Sequence, residues 1–122
     1  MIAYKVFKYE GKNLVSCVAD GKAKTYYRQG EKTFPPKWLA DLGYEITCFI
    51  DKGLAERFIK AEFVDPKKVF IKEIEIDENE RKCGLPEKSD IKDLNDGKLK
   101  TYPGSSATWP DGTIMVPWVI VK

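Results

Sequence analysis

The sequence contains no histidine. That absence removes the commonest general acid–base side chain, the usual serine and cysteine triads, and most zinc and iron sites. Cysteine is scarce: Cys17, Cys48 and Cys83 are an odd set with no C-x-x-C spacing. Such a set suits neither a disulfide framework nor a metal site. Cys17 and Cys48 stand inside apolar runs, which reads as small buried hydrophobes in a reducing compartment. No apolar run approaches the roughly 18 residues of a membrane span. The opening Met1-Ile2-Ala3-Tyr4-Lys5-Val6 has no basic segment followed by an apolar stretch. A secretory signal is therefore not expected, and a cytoplasmic setting is. The glycine patterns of phosphate loops, dinucleotide folds and nucleophile elbows are missing. So are internal repeats, linkers and low-complexity tracts, which makes residues 1–122 one expected domain.

What is present suits a folded chain. The 122 residues are 43% hydrophobic and 12% aromatic, enough to build a core and unlike a disordered composition. The net charge of +2 hides an asymmetry. Residues 1–37 hold eight basic and three acidic side chains, a local +5, while the remainder carries 13 basic and 16 acidic ones, a local −3. A basic first third suits a small anionic partner. It falls short of the stripe expected for duplex nucleic acid.

The pattern predicts an α+β fold: a mainly antiparallel sheet of about six strands, one main helix at about 53–62 and a short second helical segment. Strands are expected at 2–9 and 13–19 around Glu10-Gly11-Lys12-Asn13, then at 23–28 after the Asp20-Gly21 turn, giving a meander. A loop with Pro35 and Pro36 follows, then a helical turn at 37–41 stopped by Gly43. Residues 44–50 form the next strand, with Tyr44, Ile46 and Cys48 on one face. Asp51 is the expected N-cap of the main helix, whose stripe is Leu54, Ala55, Phe58 and Ile59, with Phe63 closing it. Asp65-Pro66 ends that helix. In the strand at 68–76, Val69 and Ile71 share one face and Ile74 and Ile76 the other. That phase change predicts either a bulge or a strand covered on both sides. Residues 77–110 are the least patterned, with Leu85, Ile91, Leu94 and Leu99 as anchors. After a turn at Pro110-Asp111-Gly112, residues 113–121 read as one final strand, with Pro117 demoting part of it to an edge or bulge.

No catalytic constellation emerges. Glu73, Glu75, Asp77, Glu78 and Glu80 form an acidic run, but alternation on a strand makes it a solvated face. Arg81 and Lys82 adjoin Cys83, yet no base accompanies the thiol. Binding chemistry is better supplied. Arg28 follows Tyr26-Tyr27 at the mouth of the Pro-rich loop, with a planar donor fork suited to phosphate oxygens. Lys32 and Phe34 follow closely. Arg57 adjoins the apolar helix stripe, where its stem can pack while its head reaches a ligand. Trp109 sits beside a turn, and aromatic faces stack on nucleobases. Each has a plainer reading: a surface cation, a salt bridge, or a lid over the core. Trp38 and Trp118 lie in apolar contexts and read as core or interface.

The order of features carries a resemblance. An opening hairpin is followed by Tyr26-Tyr27-Arg28-Gln29-Gly30, then Phe34-Pro35-Pro36-Lys37-Trp38-Leu39, Gly43-Tyr44, a strand, and Ala55-Glu56-Arg57-Phe58-Ile59. A Trp-Pro-Asp-Gly-Thr turn and an apolar last strand close it. The whole resembles the first family of phage Thoeris anti-defence proteins, which are sponges for cyclic ADP-ribose isomers. The resemblance implies a non-enzymatic protein of the host bacterial cytoplasm. It implies a homodimer or higher homo-oligomer with ligand sites at the interface, higher assemblies of the family also holding cyclic oligonucleotides. No cofactor, metal or membrane partner is implied. Chemically, Arg28, Lys32 and Arg57 suit the diphosphate. Trp109, Phe34 or Tyr27 suits the adenine, and Thr113 or Thr33 the ribose hydroxyls. The alternative is a phage protein–protein inhibitor or adaptor acting on a host protein. It is motivated by the apolar final strand with its edge-like Pro117 and by the acidic stretches.

Overall fold

The computed structural model describes residues 1–16, 21–41, 45–62, 66–80, 82–83, 96–97 and 113–122. Nine strand segments and two α-helices lie among them: β1 (Ile2–Glu10), β2 (Asn13–Ser16), β3 (Tyr26–Tyr27), β4 (Lys32–Thr33), α1 (Lys37–Asp41), β5 (Ile46–Phe49), α2 (Lys52–Glu62), β6 (Phe70–Glu75), β7 (Lys82–Cys83), β8 (Thr113–Val116) and β9 (Val119–Val121). β3, β4 and β7 have only two residues each; of the six expected strands, the one at 23–28 is reduced to β3 and the one at 113–121 is divided into β8 and β9. The fold is α+β, with a mainly antiparallel sheet curled almost into a barrel. The expected continuation of β2 to residue 19, the Gly43 stop, Tyr44, Phe63, Asp65, Leu85, Ile91, Leu94, Leu99 and the turn at 110–112 lie outside the described residues.

Local chemistry accounts for the first elements. Gly11 has φ +61° and Lys12 does not take a positive φ, as in a type II′ hairpin turn with glycine at its first central position. The resulting register runs from Glu10 opposite Asn13 to Phe7 opposite Ser16. β3 adds to β2 through Leu14–Tyr27 and Val15–Tyr26, completing the meander. β3 is shorter than expected because Gly21–Ala23 forms a 3₁₀ turn in place of strand. Asp51 caps α2 by accepting a 2.6 Å hydrogen bond from the Gly53 amide, an interaction worth about 1 kcal/mol.

The sheet order is β4-β9-β6-β1-β5-β8-β7, with β2 and β3 branching from β1. β1 makes this branch possible. Along one edge, residues 2–7 pair with β6. Along the other, Tyr4 pairs with Phe49 of β5 while residues 7–10 pair with β2. The sheet therefore forks at Lys5 and Val6. There the Lys5 ammonium donates a 2.7 Å hydrogen bond to the Thr47 carbonyl, at the point where β5 leaves β1.

The single strand expected at 113–121 is two strands, and Pro117 is where they part. β8 pairs with β5 and β7, whereas β9 lies between β6 and β4. In a flat sheet of this order β8 and β9 would stand four strand spacings apart, about 19 Å. Only Pro117 and Trp118 join them, and three Cα steps reach about 11 Å at most. The sheet must curl to bring β9 back beside β8. A second closure points the same way: Gln29, just past β3, bridges to Val121 of β9.

Curling creates an inside. Ala3, Phe7, Leu14, Tyr27, Ile46, Cys48, Ile74, Ile76, Ile114, Val116, Val119 and Val121 form one buried cluster on the inner face. On the outer face α2 lays Leu54, Ala55, Phe58 and Ile59 against Tyr4, Val6, Phe49, Val69 and Ile71. The phase change in β6 follows from these two cores. Val69 and Ile71 serve the helix side while Ile74 and Ile76 serve the interior, and the β1–β6 register runs unbroken with no bulge.

Candidate functional site

Four of the sequence-selected residues, Arg28, Lys32, Thr33 and Phe34, lie on one short stretch beside β9. Arg28 leaves β3 and opens a tight turn, closed by a 3.2 Å hydrogen bond from the Glu31 amide to the Arg28 carbonyl. Gly30, third in that turn, has φ +82°, the left-handed value a type II turn needs there. A Cβ at Gly30 would meet nothing within 4 Å, so the glycine answers to backbone angle and not to space. The Gly30 amide also donates to the Val121 carbonyl at 2.9 Å. The turn is thereby pinned to β9, and the chain reverses into β4, where Lys32 faces Ile120 and Thr33 faces Val119.

Alternation sorts the side chains of this stretch. Thr33 points inward and is buried, while Phe34 is 59% exposed. Lys32 lies on the outer side with its ammonium 4.3 Å from the centre of the Trp118 ring. Such a contact contributes about 0.5–1 kcal/mol at an exposed position, and it holds the cation beside an aromatic face. Arg28 and Lys122 are exposed on either side of the Gln29–Val121 bridge. The acidic Glu31 shares the turn and is exposed as well. The edge thus offers cations and flat apolar rings together, the donor set an aromatic anion requires.

The other candidates fall elsewhere. Tyr27 points into the interior: it is 5% exposed, packs edge-on to Phe7 with ring centroids 5.0 Å apart, and shares a 2.9 Å hydrogen bond with the Ser16 hydroxyl. Its exposed neighbour Tyr26 faces out. A stacking role fits Tyr27 only if the curled sheet opens. Arg57 is exposed on α2, and no contact among the described residues links it to the Arg28 turn. Thr113 opens β8 opposite Phe49, on the β5 side of the sheet. Trp109 lies outside the described residues.

Trp118 and Lys122 were not singled out from the sequence. Trp118 sits in an apolar run and reads locally as core or interface. Only the pairing of β4 with β9 brings Lys32 over its ring. Trp38, read as core or interface, is half-buried and donates from its indole N–H to the Lys22 carbonyl at 3.0 Å.

Elsewhere the chemistry is muted. Burial pushes the Cys48 thiol up to about 12, against a smaller opposing pull from the Lys5 ammonium. Cys48 is therefore a protonated, inert thiol at neutral pH. Among the described residues no group of three His, Cys, Asp or Glu side chains is placed to hold a metal ion. No described helix is long and apolar enough to cross a membrane. No family model, curated protein or solved structure matches the chain.

Proposed function

We propose that this protein binds and sequesters a small anionic ligand carrying an aromatic base, and that the ligand is a cyclic ADP-ribose isomer held without being degraded. The observation that carries the reading is the exposed Arg28, Lys32 and Phe34 set on a turn fixed by Gly30 and braced by Trp118. Two cations at this edge suit a diphosphate, and a ring beside them suits the adenine. The finer identity of the ligand rests on the resemblance to phage Thoeris anti-defence sponges. With it come blockade of Thoeris immunity in the host cytoplasm and a homodimer or higher homo-oligomer with ligand sites at its interface.

Melting curves with and without a cyclic ADP-ribose isomer test this. A ligand at a hundredfold excess over its dissociation constant stabilises the fold by about 2.7 kcal/mol. The ligand recovered after heat denaturation should be chemically unchanged. Arg28→Ala and Lys32→Ala should each weaken binding by about tenfold or more, the loss of one charge-assisted hydrogen bond. No thermal shift at saturating ligand rejects the reading, and recovery of a cleaved ligand rejects sequestration.

The alternative reading as a protein–protein inhibitor or adaptor keeps the acidic stretches as its motivation, while the other has weakened. The apolar last strand that favoured it is paired on both sides, by β6 and by β4.

A further inference from the structure

β6 is paired along the whole of one edge and along only part of the other. On the β1 side the register runs from Ile2 opposite Glu75 to Phe7 opposite Phe70. On the β9 side it stops at Ile74 opposite Val121, with one further hydrogen bond, from the Lys122 amide to the Glu73 carbonyl at 3.2 Å. Among the described residues nothing pairs with Phe70, Ile71 or Lys72 on that side.

Alternation identifies the backbone groups left there. In an antiparallel ladder every second residue turns both its N–H and its C=O to the same edge. Glu73 turns its carbonyl to the β9 edge, so Ile71, two residues back, turns its N–H and C=O the same way. An unpaired donor and acceptor on a strand edge are a template for one more strand. An antiparallel strand bonded to Ile71 would continue the line of β9 beyond Lys122.

The side chains select the kind of strand. Lys72 is half-buried, and its cross-strand neighbour on β1 is Lys5, a like charge. Ile71 lies on the helix side and is only half-buried. Phe70 lies against the inner cluster, and its ring stacks at 4.9 Å on that of Tyr9, which is 58% exposed. An incoming chain therefore meets, in order from Lys122 outward, a cation, a β-branched side chain and an aromatic ring. Cross-strand pairs favour opposite charges and join aromatic to aromatic. Lys122 and Lys68, both exposed, add positive charge at the two ends of the open stretch.

We infer that the open edge of β6 at Phe70–Lys72 is a docking site for an extended acidic peptide of a partner protein, which adds as one more antiparallel strand. An acidic residue faces Lys72, an apolar one Ile71 and an aromatic one Phe70. Main-chain bonds to Ile71 supply the affinity and the alternating side chains the specificity. The edge is separate from the Arg28 turn and does not rest on the ligand reading proposed for it.

The experiment uses the full chain, isotope-labelled for NMR and titrated with the peptide Ser-Glu-Val-Phe-Ser, blocked at both ends. Saturable amide shifts should centre on Ile71, and hydrogen exchange at the Ile71 amide should slow. The same peptide N-methylated at valine lacks the donor for the Ile71 carbonyl and should bind about tenfold more weakly or worse. Lys72→Glu should weaken binding by about fivefold or more and should prefer Ser-Lys-Val-Phe-Ser. This variant replaces the like-charge pair with Lys5 by an opposite one, so the fold should hold. Four results overturn the inference. They are no saturable shift at Ile71 in the wild type, equal affinity for the N-methylated peptide, and an unchanged preference in Lys72→Glu. The fourth is a dimer of the peptide-free protein that protects the Ile71 amide, which assigns the edge to a second copy.

Discussion

The two faces of β1 and β6 carry different kinds of core. Against α2 the contacts are aliphatic and aromatic: Val6, Phe49 and Ala55, with Leu54, Phe58 and Ile71 around them. The inner face also has a large apolar cluster, but Lys5, Ser16, Thr25 and Thr33 are buried polar residues outside it. The difference follows from geometry. A helix laid on a sheet seals backbone groups that are already paired within each element. Where strands part to curl, as at Lys5, a carbonyl loses its neighbour and a side chain must satisfy it. Polar residues inside this fold mark the seams where the sheet forks and closes.

Substitutions on the two faces test that contrast. Phe7→Ala on the inner face should cost about 3–5 kcal/mol, because Phe7 is fully buried and central to the cluster. Phe58→Ala on the helix side should cost about 1–3 kcal/mol, since its ring is only partly buried. Urea denaturation compares them, and equal losses would erase the distinction between a closed interior and a helix-covered face.

The next effect depends on pH. Burial lifts the Cys48 thiol from 9.0 to about 12 in the folded protein. The unfolded chain therefore releases this proton first as pH rises, and the folded state is penalised. Stability should be intact below pH 9.0 and fall progressively towards about pH 12. Cys48→Ala should show a shallower decline over the same window in chemical denaturation.

Tyr27→Phe removes one partner of the Ser16–Tyr27 hydrogen bond and leaves the other buried. It should cost about 1–2 kcal/mol, read as a lower denaturation midpoint. The smallest effect belongs to the exposed edge: Arg28→Ala should change stability by no more than about 0.5 kcal/mol while weakening ligand binding. A large stability loss there would mean the cation serves the fold.

Elements whose signal is local were readable in the sequence. Gly11 gave the hairpin, Asp51 the helix cap, and the spacing of Leu54, Ala55, Phe58 and Ile59 the helix face. The phase change along Val69, Ile71, Ile74 and Ile76 left a bulge or a strand covered on both sides, and the unbroken register with β1 selects the second. What escaped depends on pairing. Nothing within residues 113–121 says that Val116 and Val119 belong to strands with different neighbours; Pro117 marks an interruption but not a change of partner. Tyr26 and Tyr27 are chemically alike, and only the register against Leu14 and Val15 decides which one turns inward. Lys5 stands out in the sequence only as one of eight basic side chains in residues 1–37. The fork is what sends it inside. At the candidate site Arg28, Lys32 and Phe34 were found through turn chemistry, whereas Trp118 joins them only through β9.

The position of β9 has a consequence in time. Its partners β6 and β4 are made well before it, β4 some 86 residues earlier, counting from Thr33 to its partner Val119. A chain emerging at about 5–20 residues per second must wait several seconds after β4 appears before the strand that joins it to β6 exists. During that interval β6 has an open edge and the interior is unsealed, so nascent chains are exposed to mispairing and to chaperones. Pairings this distant in sequence also slow refolding towards the millisecond-to-second range. Of the described strands Val119–Val121 is the last to be synthesised, and its place in the finished sheet is between β4 and β6.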